Sequence, residues 1–305
     1  MSGIRMVSIE LVFNQLITGL SIGGRLFLIA VGLSLIFGVL DVLNFAHGVL
    51  YMIGAYGSLW ALGVVSLPLV GTLNVGFWPG LVVAVVGAGL VGVFIETGFL
   101  RRVYDGEEVD HLLLTFAFVL MLTDIVRTSF GSGSNVVTPP ALLQGNISLG
   151  AGFTLPTYRG FVILVSILVL GLIFLVLRTT NIGRLVRATS SDRDMAALMG
   201  VNVPRLYTLV FLAGAALAGL GGALAVPTQS VTPALGNQVI LNAFIIAVIG
   251  GLGSFGGAFI GAYLVGISIA VGSLIVAGAG QLIPFLAMIA VLLVKPEGLF
   301  GGEAA

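Results

Sequence analysis

The sequence contains no cysteine and very little charge. Its 305 residues include 2 histidines, and charged residues make up 8% of the chain. Without cysteine, disulfides, thiolate metal sites and cysteine nucleophiles are excluded. His47 and His111 are too few for a histidine-rich metal site. The scarcity of charge also argues against an ordinary soluble domain, in which about 25% of residues are charged.

An excess of either charge sign is missing as well. The 12 basic and 12 acidic residues give zero net charge, so the basic surface typical of a nucleic-acid-binding protein is not expected. What the chain has instead is 58% hydrophobic residues and a mean hydropathy of +1.21. Lipid is the solvent that suits this composition. We therefore expect residues 1–305 to form a single membrane domain.

Apolar runs long enough to cross a bilayer follow one another along the chain. A crossing helix needs about 20 residues, and this rule predicts an all-α polytopic membrane protein with about 8 to 10 spanning or partly spanning helices, some broken or re-entrant. The run 11–40 is too long for one straight span, so we expect it to divide near Arg25. The run 241–276 is also too long, and we expect a break in the glycine-rich segment 250–257.

The distribution of basic residues predicts the orientation. Arginines gather in 101–102 and 178–205, whereas 131–158 carries no charge. The positive-inside rule places the basic loops in the cytoplasm and 131–158 on the opposite side. Two predicted spans separate 96–110 from 178–205, so both loops fall on the same side of the membrane.

A polar segment, Asn44-Phe45-Ala46-His47-Gly48, lies between two apolar runs. Irregular polar backbone at membrane depth is tolerated only where protein or water covers it. The segment therefore indicates either a discontinuous helix that lines a solute pathway or an interfacial turn with a satisfied histidine. Its position leaves both interpretations open.

The glycine-rich segment contains G-x-G-x-x-G at 251–256. A dinucleotide site would need a preceding strand and an acidic residue about 20 positions later. The flanks are long apolar runs and the next acidic residue is Glu297, so that interpretation is excluded. A broken helix that exposes backbone N–H groups to a polar solute and simple close packing of helices remain.

Residues 179–204 are too polar to span a membrane but have helical periodicity. Met195, Leu198 and Met199 form an apolar face, Gly200 ends a helix and Pro204 begins the next. An ordinary solvated loop has no need of such a face. We therefore predict a cytoplasmic helix–turn–helix that docks on a partner protein.

Signals for chemistry within the chain are weak. There is no G-x-x-x-x-G-K-[ST] loop for ATP, and Ser254 does not lie in a G-x-S-x-G elbow. We therefore expect no enzymatic activity, with an intramembrane protease as a remote alternative. Few ionisable residues lie at membrane depth, which argues against a proton-coupled carrier. A stand-alone channel or secondary carrier is still the rival from another class.

Several motifs resemble one known family. Residues 44–48 and the following Tyr-Met-Ile-Gly-Ala-Tyr at 51–56 are similar to the early signature of branched-chain amino acid ABC transporter permeases. Further segments resemble that family in the same order, and these are 182–184, 196–202, 211–222, 250–257 and 295–301. The chain is most similar to the H-type of two related permeases. Urea and short-chain amide permeases share these motifs, and residues 96–110 are more acidic than the family pattern.

The resemblance implies an importer subunit in the cytoplasmic (inner) membrane of a prokaryote. Its implied partners are a related or identical second permease, two ATP-binding cassette ATPases that bind the ATP, and an extracytoplasmic solute-binding protein. It implies branched-chain (hydrophobic) amino acids as the solute, with urea or amides as the alternative, and no cofactor or metal in this chain. The implied ATPase-coupling residues are Gly183, Arg184, Arg187, Ala188, Asp192, Ala196, Met199 and Gly200. The hypothetical pathway residues are Asn44, His47, Gly48, Tyr51, Gly250, Gly251, Gly253 and Ser254.

Overall fold

The computed structural model describes residues 9–68, 70–104, 106–150, 153–275, 280 and 282–301. Within these ranges the chain forms eleven α-helices and one β-hairpin, so the predicted all-α polytopic fold is confirmed. The helices are α1 (Ile9–Leu40), α2 (His47–Ala61), α3 (Phe77–Gly98), α4 (Glu108–Phe130), α5 (Thr157–Thr179), α6 (Asn181–Ser191), α7 (Arg193–Leu198), α8 (Val203–Ala225), α9 (Leu235–Gly250), α10 (Phe255–Ile275) and α11 (Ile283–Val294). The hairpin pairs β1 (Asn146–Gly150) with β2 (Phe153–Pro156), and short 3-10 turns cover Leu100–Arg102 and Ala141–Leu143.

Six of the described helices are long and apolar enough to cross a membrane, and they are α1, α3, α4, α5, α8 and α10. The 15 residues of α2 and the 16 of α9 give lengths of only about 22–24 Å at 1.5 Å per residue. Neither can cross a hydrocarbon core about 30 Å thick. The predicted mixture of spanning and partly spanning helices is therefore present.

The expected division of the first apolar run near Arg25 is wrong, because α1 is one helix of 32 residues. Its glycines are points of close contact rather than breaks. A methyl group on Gly23 would lie 2.9 Å from the backbone of Ala262 and Tyr263 in α10. A methyl group on Gly24 would lie 3.1 Å from the hydroxyl of Ser166 in α5. Close packing of small residues between membrane helices offsets the low helix propensity of glycine, about 1 kcal/mol.

The second long run does break where the sequence predicts, although over fewer residues. Helix α9 ends at Gly250 and α10 begins at Phe255. Gly251 and Gly253 adopt φ values of 94° and 83°, which residues with a side chain rarely adopt. Gly256 and Gly257 lie inside α10, and Gly257 packs against the backbone of Gly250. The break is therefore a tight turn over residues 251–254.

The bundle has two chemically different ends. At the hairpin end, the ring of Phe13 in α1 contacts that of Phe153 at a centroid distance of 4.7 Å, and the Tyr158 hydroxyl donates to the Leu224 carbonyl at 2.9 Å. The opposite end carries the C-termini of α3 and α5 together with α6 and α7. Most of the arginines lie there, so we call it the basic end.

Helix α1 is the centre of the bundle. It packs against α2, α5, α8, α9 and α10, and its residues 23–34 are all buried. A helix that is apolar on every side needs such surroundings. By contrast, α4 and α5 expose large apolar side chains such as Leu113, Leu168 and Leu172, as expected of surfaces that face lipid.

The close approach of α2 and α8 where they cross should require a residue without a side chain at Gly222. A methyl group on Gly222 would collide with the Tyr51 carbonyl, whereas Gly87 of α3 has open space around it. We expect Gly222→Ala to lower the free energy of unfolding by about 1–3 kcal/mol through overpacking. Gly87→Ala should leave it unchanged or raise it by about 1 kcal/mol. Thermal unfolding in detergent, followed by tryptophan fluorescence, measures both, and a Gly222→Ala protein as stable as Gly87→Ala would contradict this packing.

Candidate functional site

A cavity of about 700 Å³ lies in the hairpin-end half of the bundle, between α1, α2, α9, α10 and α11. Its volume is typical of sites for small molecules. Apolar side chains form much of the wall, including Ile22, Leu26, Val239, Ile269 and Phe285. The polar side chains that line it are Arg25, Tyr51, Gln229, Gln238, Asn242 and Ser273. The cavity thus combines a largely apolar wall with a few polar groups and one cation.

Arg25 reaches this cavity because α1 is continuous. The side chain lies in the middle of α1 and is only 7% exposed. Its Nε atom is buried and has no hydrogen-bond partner among the described residues. The sequence pattern predicted a helix break near Arg25 and did not predict its place in a cavity. A single arginine inside a run of apolar residues was the available signal, because ionisable residues inside membrane helices are usually functional.

The polar segment 44–48 lies next to the cavity, at the start of α2. His47 is fully buried, and its Nε2 lies 3.1 Å from the Ile29 carbonyl of α1. Gly48 packs against the backbone of Gly236 at the start of α9. Both amide atoms of Asn44 and the Nδ1 of His47 are buried without a hydrogen-bond partner among the described residues. Such groups are costly at membrane depth unless water or a solute reaches them.

The remaining predicted pathway residues lie at the basic end. Gly250, Gly251, Gly253 and Ser254 form the turn between α9 and α10. The chain after α11 covers this turn, since Leu299 and Phe300 donate backbone hydrogen bonds to the Ile249 and Gly250 carbonyls at 2.8 and 3.1 Å. Gly253 also approaches Gly38 near the end of α1. The structure therefore places the two predicted groups at opposite ends of α9, and of all eight residues only Tyr51 lines the cavity.

The segment 179–204 folds into two short helices, α6 and α7. The Thr180 hydroxyl caps α6 by accepting from the Gly183 N–H at 3.2 Å. The Asp192 carboxylate caps α7 by accepting from the Met195 N–H at 2.9 Å. Such caps satisfy backbone donors that a helix leaves unpaired at its start. Gly200 ends this unit with a φ of 87°.

The predicted coupling residues divide into anchors and surface groups. Gly183 packs against the backbone of Leu177, Arg187 donates to the Leu177 carbonyl and Ala196 is buried. Those at the surface are Arg184, Ala188, Asp192, Met199 and Gly200.

An exposed apolar patch, which we call the α7 face, consists of Met195, Leu198 and Met199. These side chains are 55%, 82% and 78% exposed. A contiguous exposed apolar patch outside the lipid is typical of a protein interaction site.

A polar cluster beside α7 was not predicted. The fully buried Glu96 of α3 accepts two hydrogen bonds from Arg101, both at 3.2 Å, and one from Thr208 of α8 at 2.8 Å. Tyr104 donates to the same carboxylate at 3.3 Å. Burial and the negative charge of Glu96 raise the pKa of Tyr104, so the phenol keeps its proton. This cluster fixes the end of α3 to the start of α8.

Comparison with known proteins decides the family. The family model described as the permease component of the branched-chain amino acid transport system matches residues 15–292. The chain belongs to this family. As a multi-pass membrane protein of that family it is a transport permease component, and membership implies partner ATPases and a solute-binding protein.

Individual relatives are similar over nearly the whole chain. It is 31% identical over 294 residues to the high-affinity branched-chain amino acid transport system permease protein LivH of Escherichia coli K12, covering 94% of this chain and 95% of LivH. It is 29% identical over 299 residues to the corresponding protein BraD of Pseudomonas aeruginosa, with coverage of 94% and 95%. The fructose import permease FrcC of Rhizobium meliloti is 29% identical over 266 residues, covering 82% of this chain and 71% of FrcC. No solved structure gives a significant match.

The Glu96 cluster should contribute measurably to stability. Glu96→Ala leaves the donors of Arg101, Tyr104 and Thr208 without their common acceptor. We expect the free energy of unfolding to fall by about 2–4 kcal/mol, because polar groups lose a partner in a buried site. The exposed Glu108 provides the control, and Glu108→Ala should change stability by about 0.5 kcal/mol or less. Denaturant titration of the purified protein measures both, and equal stability of the two variants would contradict this role.

Proposed function

We propose that the chain is the transmembrane permease subunit of an ATP-driven importer of branched-chain amino acids. Residues 1–305 would form one permease domain in the cytoplasmic (inner) membrane of a prokaryote. The excess of arginine at the basic end supports a cytoplasmic location for that end. The hairpin end then faces outward and receives the solute from a binding protein.

The observation that carries this proposal is the chemistry of the cavity. It lies in the half of the bundle to which a binding protein would deliver solute, and its apolar wall suits an aliphatic side chain. Its few polar groups suit the two charged ends of an amino acid. Of the alternative solutes, urea has no apolar portion, and short-chain amides have only a small alkyl group, to match Leu26, Val239, Ile269 and Phe285. LivH and BraD, to which the chain is similar, are permeases of high-affinity branched-chain amino acid transport systems, which agrees with this choice.

The α7 face supports ATP-driven transport rather than a stand-alone channel or carrier. Leu198 and Met199 are exposed outside the apolar bundle, where a partner protein would bury them. Helix α6 follows α5 after Thr180 alone, and α7 is joined to α8 by residues 199–202. A movement of the docked pair would therefore reach α8, which packs on α1, α2 and α3.

The pathway within this chain would run from the cavity toward the basic end. Asn44, His47 and Gly48 lie beside the cavity, and Gly250, Gly251, Gly253 and Ser254 lie at the far end of α9. The cavity occupies only the hairpin-end half, which suits an outward-open arrangement of an alternating-access transporter. A second permease, related or identical, and two ATPases would complete the assembly.

Reconstitution with the partner subunits tests which solute is transported. Proteoliposomes that contain this chain, its second permease, its ATPases and the binding protein should take up labelled leucine only when ATP is supplied. Excess isoleucine or valine should compete, whereas urea and acetamide should not, because the cavity wall is mainly apolar. Uptake by this chain alone without ATP would favour the channel or carrier, and competition by urea would favour the amide permease.

Introducing a single charge on the α7 face tests whether the ATPases dock there. Leu198→Asp places a carboxylate where the partner would bury an apolar side chain. A central contact is worth about 2 kcal/mol or more, so the affinity for the ATPases should fall about 30-fold or more. The permease itself should stay folded, since Leu198 is exposed.

Val109→Asp is the matched control, because Val109 is also exposed and apolar and lies in the first turn of α4 at the basic end. Co-purification of the ATPases with each tagged variant is the measurement. Equal recovery of ATPases with Leu198→Asp and the wild type would contradict docking at the α7 face.

A further inference from the structure

We infer that Arg25 binds the carboxylate of the transported solute within the cavity. This inference rests on the proposed function and adds the substrate class that the site selects. It requires a solute with a free carboxylate, not merely an aliphatic group. Three features of the described structure support it: the buried guanidinium, whose Nε has no hydrogen-bond partner among the described residues, the start of α9, and the arrangement of polar and apolar wall groups.

The first feature is a buried cation without an anion. Arg25 is 7% exposed and its Nε has no hydrogen-bond partner in the described part of the chain. The one ion pair among the described residues joins Arg101 to Glu96, at the basic end. The polar side chains that share the cavity with Arg25, such as Tyr51, Gln238 and Asn242, are neutral. A buried charge is stable only when it is paired, and a solute carboxylate would provide the missing partner.

The second feature is the start of α9 in the same cavity. Leu235, the first residue of this helix, lines the cavity together with Gln238 and Asn242. The preceding residue, Ala234, offers no side-chain cap. The N–H groups of Leu235 and Gln238 donate to backbone carbonyls, whereas those of Gly236 and Asn237 have no hydrogen-bond partner among the described residues. The positive end of the helix dipole favours an anion at this position. Arg25 and the N-terminus of α9 therefore both place positive charge at the cavity, where it would attract an anionic group.

The third feature is the distribution of the other wall groups. The amide oxygens of Gln229, Gln238 and Asn242 can accept hydrogen bonds from an ammonium group. Leu26, Val239, Ile269 and Phe285 can contact an aliphatic side chain. An α-amino acid presents these three kinds of group at once, whereas an amine or an amide lacks the anion that Arg25 requires.

The chain offers a matched control in Arg159. This arginine begins α5 at the hairpin end and is near enough to Arg25 for their charges to repel. Unlike Arg25, it has a partner, because its Nη1 donates to the Thr18 hydroxyl at 2.5 Å. It does not line the cavity. Replacing it removes the same charge from the same half of the bundle without removing the proposed carboxylate contact.

The first experiment uses the wild-type complex of this chain with its second permease and ATPases in nanodiscs, without nucleotide and without the binding protein. Omitting the binding protein removes its own selection for amino acids. Binding of labelled leucine is then challenged with unlabelled leucine or with leucinamide, which keeps the side chain and ammonium group but lacks the carboxylate. Leucinamide should compete about 30-fold more weakly or worse. Equal competition, or no saturable leucine binding up to millimolar concentrations, would overturn the inference.

The second experiment compares variants in the same complex. Arg25→Gln should raise the Kd for leucine about 30-fold or more, since it removes one partner of a buried charge pair. Arg25→Lys should reduce the affinity for leucine less than Arg25→Gln does, because lysine keeps the charge but not the bidentate hydrogen-bonding geometry. Arg159→Gln should stay within about twofold of the wild type, as expected away from the contact. Unchanged affinity in Arg25→Gln would overturn the inference.

Measurements of complex assembly and of leucine transport show whether a negative result contradicts the role of Arg25 or the proposed function. Co-purification of the ATPases and their basal hydrolysis show whether each variant assembles. If Arg25→Gln does not assemble, the leucinamide competition on the wild type decides the question. If the wild type transports leucine with ATP but discriminates neither leucinamide nor Arg25→Gln, only the role of Arg25 fails. If the wild type does not transport leucine at all, the proposed function fails.

Discussion

The close packing of α1 against its neighbours is the interaction on which the rest of the structure depends. Glycines at 19, 23, 32 and 38 each bring the helix against the backbone of another segment, namely α10, α8 and the turn after α9. In a membrane, helices gain little from burying apolar surface and associate through such close contacts. This packing keeps α1 continuous through Gly23 and Gly24, and continuity fixes the depth of Arg25. The position of Arg25, the one cation among the described residues that line the cavity, is therefore a consequence of glycine spacing.

The two short helices follow from the same constraint. Because α2 and α9 do not cross the membrane, each begins inside the bundle, and Gly48 of α2 meets Gly236 of α9 at that depth. Irregular backbone at membrane depth survives only where protein covers it or a polar cavity meets it. His47 contacts Ile29 and Gly32 of α1, whereas the cavity is lined by the preceding turns of the same helix, at Ile22, Arg25 and Leu26. Short helices, buried polar groups and cavity thus form one arrangement rather than three separate features.

Most of the fold could be predicted from the sequence, and the site only in part. The lengths of the apolar runs were sufficient to predict the polytopic fold. The break before α10 could be predicted from the positions of Gly251 and Gly253. Helix α7 could be predicted from the apolar spacing of Met195, Leu198 and Met199. The continuity of α1 was missed because propensity and charge at 23–25 favour a break, and only tertiary contacts with α5 and α10 outweigh them. The Glu96 cluster was missed because Glu96 and Thr208 are 112 positions apart. Local patterns carry no information on such long-range pairs.

Communication between the α7 face and the cavity has a physical route in this arrangement. The Glu96 cluster joins α3 to the first turns of α8, so both helices should respond together to a displacement of α7. Halfway along α8, Gly214 contacts Gly32 of α1, and the imidazole of His47 lies against the same Gly32. A rotation of α8 would change this contact together with those of Gly221 and Gly222 against Arg25 and Tyr51, because glycine packing tolerates no change in helix separation without a rearrangement. The Gly214–Gly32 contact lies about two turns of α1 beyond Arg25, toward the basic end. If the α7 face docks on the ATPases as proposed, a movement there would therefore reach both the Gly32 contact and the cavity wall through the same helix.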